Sequence, residues 1–172
     1  IRDRNDHVFH STDEIRNSID FPLLGHIPYV NLFKDVREKR SSILKVLKPK
    51  LDSDSSDKVE SYQRFFYTES LRNLYTSIRF LGGDDPIKTL VLTSSLPNEG
   101  KSLINILLAK TLSEMGERIL LIDSDMRKPQ VHDRLELNNL IGFSNLLTDN
   151  NLDISDVIRP IKDFNNWDVI TG

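Results

Sequence analysis

Cysteine is absent from this sequence of 172 residues, which excludes a disulfide scaffold, a zinc site built on thiolates and a cysteine nucleophile. Long apolar runs are absent too, since none approaches the roughly 18 residues that a membrane-spanning helix needs. The amino terminus lacks the basic, apolar and small-residue segments of a signal peptide. Positive charge is not in excess: 23 Lys and Arg stand against 26 Asp and Glu, a net charge of -3. The sequence therefore gives no general support for nucleic-acid binding.

The length and composition are typical of a single domain. Hydrophobic residues make up 38% and charged residues 28%, and a typical domain of about 150 residues leaves a surplus for a tail. The chain begins at Ile1 rather than at a methionine and stops at Gly172 directly after an apolar run, which predicts a piece of a longer protein. We assign residues 1–57 to an arm and linker, and residues 58–172 to the main domain.

The first half of the chain is predicted to be mainly helical. A short helix is expected over 13–19, followed by an extended arm. Residues 34–50 are rich in Lys and Arg and predict a basic amphipathic helix, which either faces water or contacts an acidic membrane surface. Residues 52–57 carry no apolar side chain and are the linker candidate. Apolar residues at helical spacing predict a longer helix over 60–81.

The second half has the pattern of an α/β fold with a parallel sheet. Residues 88–94 predict a strand buried on both faces, a helix follows up to Gly116, and residues 118–123 predict a second buried strand. A strand, a helix and a strand at this length form a βαβ unit. Short helices over 143–147 and 154–158 and a third strand over 167–170 complete the prediction.

The loop between the first strand and its helix predicts a phosphate-binding site. Gly100 stands where backbone would pass close to phosphates, Lys101 would reach the β- and γ-phosphates, and Ser102 would ligate Mg²⁺. Ser95 occupies the place of the usual first glycine, and the alternative is an ordinary turn with a chance lysine. Because a strand precedes the motif and a helix follows it, we favour nucleotide binding. The nucleotide-contacting candidates are Pro97, Asn98, Glu99, Gly100, Lys101, Ser102, Leu103 and Arg127.

Asp123 and Asp125 follow the second strand, at the edge where open α/β sheets bind their ligands. A carboxylate there can hold Mg²⁺ or accept a proton during phosphoryl transfer. We therefore name Lys101, Asp123 and Asp125 as the catalytic candidates, and Ser102 and Asp123 as the metal candidates. A turn-capping role is the alternative for the acids, and Arg127 either neutralises phosphate or pairs structurally.

These two stretches, residues 94–102 and 119–129, together resemble the bacterial tyrosine kinases, which are the cytoplasmic domains of polysaccharide chain-length determinant proteins. The second stretch matches in full the family motif of an aliphatic run followed by Asp-x-Asp-x-Arg. The resemblance implies a P-loop NTPase-like sandwich, ATP and Mg²⁺ as cofactors, and tyrosine autophosphorylation that controls the synthesis and export of a surface polysaccharide.

The resemblance also covers the predicted helix over 60–81. Glu69 and Arg72 match a family motif for oligomerisation, Tyr75 replaces its second arginine, and Arg79 lies one turn later. This implies self-association, including ring formation, with Arg79 as the substitute contact. Residues 23–28 resemble the segment that follows a transmembrane helix. The resemblance thus implies a cytoplasmic domain of a bacterial protein anchored in the inner membrane, with an upstream membrane segment or activator protein and the polysaccharide export machinery as partners.

Two family elements are not found in the 172 residues: a strand that ends in Asp-x-Pro-Pro and a tyrosine cluster. We therefore expect the parent protein to be a kinase and this piece to have weak activity or none. Septum-placement and plasmid-partition ATPases share the fold, but Leu96 stands where they carry a signature lysine. A partition-type ATPase and a non-catalytic assembly module are the alternatives to the kinase.

Overall fold

The computed structural model describes residues 11–34, 43 and 55–172, and for 55–57 it describes the backbone alone. A 3₁₀ turn at Asn31–Phe33 lies within the arm. In chain order the helices are α1 (Thr12–Ser18), α2 (Ser55–Leu81), α3 (Lys101–Glu114), α4 (Val131–Leu135), α5 (Phe143–Thr148) and α6 (Ile154–Val157), and the strands are β1 (Ile119–Ile122), β2 (Arg159–Pro160) and β3 (Trp167–Ile170).

Helix α1 confirms the predicted short helix near the amino terminus. The Ser11 hydroxyl accepts a 3.2 Å hydrogen bond from the Glu14 amide, which satisfies one of the free donors at the start of the helix. None of its residues is buried. Helix α1 therefore contributes little to the core.

Helix α2 is longer than predicted, because it begins at Ser55, within the stretch predicted as a linker. Its inward side chains Tyr67, Leu71 and Ile78 are buried at the helical spacing that predicted the apolar face. Tyr67 packs edge-on against Phe33 with ring centroids 4.8 Å apart. This contact ties α2 to the arm.

Helix α3 forms the centre of the core. Eight of its fourteen residues are buried, from Leu103 to Ser113, so it is covered on most of its circumference. Gly116 follows with φ 93°, a left-handed conformation that glycine adopts without the cost of a Cβ, and it ends the helix as predicted.

The sheet contains a parallel pair of strands, as predicted for the α/β fold, but the predicted βαβ pairing of residues 88–94 with 118–123 is not present among the described residues. Its order is β1-β3-β2, with β1 parallel to β3 and β2 antiparallel to β3. Ile119 lies opposite Trp167, and Ile122 lies opposite Ile170. Strand β3 is central, and its Trp167 and Val169 are fully buried. Strand β1 is only half buried, since Leu120 and Ile122 are exposed, so the prediction that it is covered on both faces is wrong.

The prediction of a strand over 88–94 is also wrong. The segment is extended but forms no strand of the sheet, and Val91 is 81% exposed. A cleft of about 1140 Å³ is lined by residues of this segment, including Lys88 and Leu90, and by Leu121 of β1. No strand within 55–172 pairs with the segment, so its backbone groups have no ladder to join, and an unpaired strand is not stable alone.

The predicted basic helix over 34–50 lies almost wholly outside the described residues. Among the helices that are described, none is both long and apolar enough to cross a membrane. The short helix α4 and the two-residue strand β2 were not predicted from the sequence.

Candidate functional site

The loop before α3 is a tight turn held by its own side chains. The Ser94 hydroxyl donates to the Leu96 carbonyl oxygen at 2.9 Å. The Leu96 amide donates to Glu99 Oε2 at 3.1 Å. Asn98 and Gly100 have φ angles of 67° and 90°, values in the left-handed region that these two residue types tolerate better than most. The chain thereby reverses and enters α3 within a few residues.

Helix α3 begins directly at the predicted lysine. Gly100 is its N-cap residue, and Lys101 is the first helical residue. The first amides of a helix have no acceptor within the helix, and that end carries partial positive charge. The first turn of α3 holds no acidic side chain to neutralise this charge. The start of α3 is therefore suited to an anion.

The structure brings the predicted lysine beside one of the two predicted acids. Lys101 Nζ lies 3.9 Å from Asp125 Oδ2, and each side chain is 36% exposed. The two residues come from different elements, the start of α3 and the turn after β1. Their pairing places the phosphate-loop candidate and the acidic candidate in one site, although only the acid follows a described strand.

Asp123, two residues before Asp125, is buried, with only 6% of its surface exposed. Its Oδ1 accepts a 3.2 Å hydrogen bond from the Asp125 amide. Its Oδ2 accepts 3.0 Å bonds from the amides of Gln130 and Val131. Asp123 therefore organises the turn that leads from β1 into α4. Its predicted metal role stays a prediction.

The other predicted site residues range from buried to exposed. Ser102 is half buried next to Lys101, and Arg127 is exposed on the turn after β1. The Leu103 side chain is buried in the core at 1% exposure, so only its backbone amide could face a ligand. Among the other loop candidates, Pro97, Asn98 and Glu99 are exposed.

The predicted oligomerisation residues Glu69, Arg72 and Arg79 lie on α2, away from the phosphate loop in sequence. Arg72 Nη1 lies 2.6 Å from Glu69 Oε1, one turn earlier in the same helix. The Arg79 guanidinium carbon lies 5.9 Å from the centre of the Tyr75 ring. Glu69 and Arg72 thus have each other as partners within one chain, and both remain at the surface.

Sequence reasoning missed the amides of Gln130 and Val131, which hold Asp123, and the close approach of Gly172. A Cβ added to Gly172 would lie 2.9 Å from Pro129 Cβ and 3.1 Å from the Asp123 carbonyl oxygen. Pro129, two residues after Arg127, and the turn-capping alternative for the acids were the signals in the sequence that the chain turns there.

The polar groups around Lys101 and Asp125 have the chemistry that a nucleotide with its magnesium ion needs. In the part of the chain that is described, no group of three acidic or imidazole side chains could hold a metal alone. Mg²⁺ usually takes one or two protein oxygens and completes its shell with phosphate oxygens and water. The Ser102 hydroxyl and a carboxylate of the turn after β1 fit that requirement, and Lys101 and the first amides of α3 fit the phosphates.

Comparison with known proteins points to the same chemistry. No protein-family model matches the chain. The tyrosine-protein kinase YwqD of Bacillus subtilis is 39% identical over 80 residues, which are 46% of this chain and 34% of that protein. The putative tyrosine-protein kinase CapB of Staphylococcus aureus is 36% identical over 105 residues, 61% of this chain and 45% of that protein. The chain therefore spans less than half the length of either curated relative.

A solved structure extends the similarity to nearly the whole chain. The BceF tyrosine kinase domain superposes with a TM-score of 0.67 and 28% identity, over 93% of this chain and 60% of that domain. The mixed α/β fold is thus similar to that of a bacterial tyrosine kinase domain. The sequence motifs, the relatives and the fold agree, and the resemblance of this chain to the bacterial tyrosine kinases is confirmed.

Proposed function

We propose that this chain is part of an ATP- and Mg²⁺-dependent protein tyrosine autokinase that regulates the synthesis and export of a surface polysaccharide. The observation that carries the proposal is the 3.9 Å approach of Lys101 to Asp125. This approach brings the glycine turn and the start of α3 next to the acidic turn that follows β1. The kinase activity is inferred from the names of the relatives, and the link to polysaccharide is inferred from the motif resemblance.

In this proposal the described residues bind and orient the phosphates. The amides at the start of α3 and the Lys101 ammonium group offset the charge of the phosphates. The Ser102 hydroxyl and an acid of the turn after β1 hold the magnesium ion, which when bound would neutralise charge on the transferred phosphoryl group. Arg127, exposed on the same turn, adds a cation beside the site. The fold is proposed to be of the P-loop NTPase type.

The whole protein is proposed to be anchored in the bacterial inner membrane with this domain on the cytoplasmic side. The anchor is proposed to lie upstream of residue 1 and to be joined to the domain of residues 58–172 by the arm of residues 1–57; a separate activator protein is the alternative partner. Copies of the protein are proposed to associate through α2, where Glu69 and Arg72 lie at the surface. The Glu69–Arg72 pair would then open and exchange partners between neighbouring copies.

The proposal is tested on the full-length protein with ATP and Mg²⁺, by measuring phosphotyrosine and released phosphate together. We expect phosphotyrosine in the wild type and its loss in Lys101→Met. Lys110→Met is the matched control, because Lys110 lies on the same helix but pairs with Glu114. Phosphate release without phosphotyrosine would support a partition-type ATPase instead. Failure to bind any adenine nucleotide would support a non-catalytic assembly module.

A further inference from the structure

One face of α2 carries exposed aromatic side chains in its first half. Tyr62 is 67% exposed, and Phe65 and Phe66 are each 58% exposed. The two phenylalanine rings contact each other edge-on, with centroids 5.8 Å apart. We call these three residues the aromatic patch. Aromatic side chains contribute strongly to binding when a partner covers them, because each removes a large apolar area from water.

The patch lies on the side of α2 that faces away from the core. The buried residues Tyr67, Leu71 and Ile78 mark the opposite side of the helix, which packs against α3 and the 3₁₀ turn. With 3.6 residues per turn, Tyr62 and Phe66 fall on the far side from Leu71. The aromatic patch therefore contributes its rings to the surface of the chain.

The polar residues further along α2 are already engaged within the chain. Arg72 Nη1 lies 2.6 Å from Glu69 Oε1. The Tyr75 hydroxyl donates to Glu117, and the Arg79 guanidinium lies over the Tyr75 ring. A neighbouring copy would have to separate these groups before it could pair with them, and exposed ion pairs contribute little to association. Charged contacts alone are therefore a weak basis for association through this helix.

The charges around the patch favour a second copy of the chain as its partner. Residues 58–73 carry three Lys and Arg and two Glu. A helix that lies on an acidic membrane surface is rich in cations on its polar face, and this nearly balanced stretch is not. Glu69 and Arg72, which follow the patch, offer one anion and one cation. A second copy offers the same two charges, so the surface is complementary to itself in charge.

The area of the patch suits the centre of a contact between copies. An aromatic side chain buries about 150–250 Å² when it is covered, so three that are more than half exposed offer roughly 250–450 Å². A stable interface takes about 800 Å² from each partner. Its centre is enriched in aromatic residues and its rim is polar. The aromatic patch could supply that centre, and Glu69 and Arg72 the rim.

We propose that copies of this protein associate through the aromatic patch, with Phe65 and Phe66 as the anchors and the Glu69–Arg72 pair at the rim. The inference rests on the self-association in the proposed function and names the residues that carry it. It also explains how association survives with Tyr75 in place of an arginine of the motif. Because apolar burial does not depend on charge, association should resist added salt.

The experiment measures the dissociation constant between copies of the full-length protein by sedimentation, at low and at high NaCl. We expect Phe66→Ser to weaken association at least about tenfold and Arg72→Ala about twofold to fivefold. Phe66→Leu keeps the apolar area and should stay within about threefold of the wild type. Salt should change the wild-type constant by less than about threefold.

Phe80→Ser is the matched control for loss of an exposed phenylalanine. Phe80 is 83% exposed on the same helix, about 21 Å further along it than Phe66, so the control should associate like the wild type. Phe65→Ser is the second variant of the patch and decides the question if Phe66→Ser does not fold.

A thiol reporter separates a second copy from a membrane as the partner. The 172 residues contain no cysteine, so Ser61→Cys places a single thiol of this region beside the patch. Its alkylation should slow as the protein concentration rises. Slowing that follows added phosphatidylserine vesicles instead would show that a membrane covers the patch, and the proposal would be wrong.

Equal dissociation constants for the wild type and both patch variants would overturn the proposal while self-association by another surface stood. A wild type that is monomeric at every concentration would refute both the patch and the proposed self-association. Phosphotyrosine is measured on the same samples, so a failure of the proposed kinase activity is detected separately from a failure of the patch.

Discussion

The Tyr75 hydroxyl donates a 2.9 Å hydrogen bond to Glu117 Oε1 and so joins α2 to the turn between α3 and β1. The same turn is held from the other side by Asn166, whose Nδ2 donates to the carbonyl oxygens of Ser113 and Glu117. This turn lies at the end of α3 opposite Lys101. Tyr75, which replaces an arginine of the oligomerisation motif, thus has a structural role within a single chain.

Removing the Tyr75 hydroxyl should destabilise the protein modestly. We expect Tyr75→Phe to lower the free energy of unfolding by about 0.5–1 kcal/mol, because one surface hydrogen bond is lost while the ring remains. Urea unfolding followed by circular dichroism measures the change. Tyr62→Phe is the control, since Tyr62 is exposed, and an equal loss in both variants would contradict the assignment.

The Tyr75 contact should also make stability depend on alkaline pH. Burial, followed by the hydrogen bond to Glu117, raises the pKa of Tyr75 above its ordinary value of 10.0. An acid with a raised pKa in the folded state stabilises the fold below the unfolded pKa, and that contribution disappears as pH rises through the folded pKa. The stability difference between wild type and Tyr75→Phe should therefore shrink above about pH 10. A difference that grew with pH in urea titrations would be contrary to this account.

Gly142 lies against the strand end that leads into the site, and it has no room for a side chain. A Cβ at this position would lie 2.4 Å from the Thr171 carbonyl oxygen. Gly142→Ala should lower the unfolding free energy by about 1–3 kcal/mol through overpacking. Gly25→Ala provides the comparison, because its added Cβ would find only ordinary contacts at 3.7 Å. Thermal unfolding of the two variants should show a loss for Gly142→Ala alone.

The segment over 88–94 should exchange its amide hydrogens quickly in the 172-residue chain. It joins no described strand, whereas β3 pairs on both sides. Exposed, unbonded amides exchange with little protection, and central-strand amides exchange only on larger openings. Hydrogen exchange followed by mass spectrometry should therefore show slow exchange at 167–170 and fast exchange at 88–94. Equal protection would mean that the segment does form a strand.

Much of the fold could be predicted from local sequence because its causes are local. Helices α1, α3, α5 and α6 follow apolar spacing, capping residues and glycine stops, and the apolar run of β3 is short and bounded. The buried face of α2 followed the spacing of Leu71 and Ile78. Each of these signals acts within a few residues of the chain.

The features that were predicted wrongly or missed depend on contacts between residues that are distant in sequence. Residues 88–94 have the composition of a buried strand, yet a strand exists only where another strand pairs with it. Helix α4 is too short to show a period, and the amide of its first residue is held by Asp123, which follows β1. The sequence placed Lys101 and Asp125 in one site on the assumption that both follow strands of one parallel sheet. Only Asp125 follows a described strand, so their 3.9 Å approach and the different surroundings of the two acids required coordinates.

Self-association through α2 can be tested by sedimentation of the full-length protein. We expect Arg72→Ala to shift the distribution toward smaller species, because Arg72 loses its charge at the surface proposed to join neighbouring copies. Lys58→Ala, an exposed cation on the same helix, should leave the distribution unaltered. If Arg72→Ala and Lys58→Ala sediment alike, the Glu69–Arg72 pair serves the single chain alone.

The most direct measurement is the affinity of the full-length protein for ATP with Mg²⁺, by calorimetric titration of the wild type, Lys101→Met and Lys110→Met. We predict tight binding in the wild type and Lys110→Met and at least about tenfold weaker binding in Lys101→Met, since the phosphates lose a charged partner at the start of α3. The same affinity in all three proteins would contradict the claim that Lys101 and the turn around it hold the phosphates.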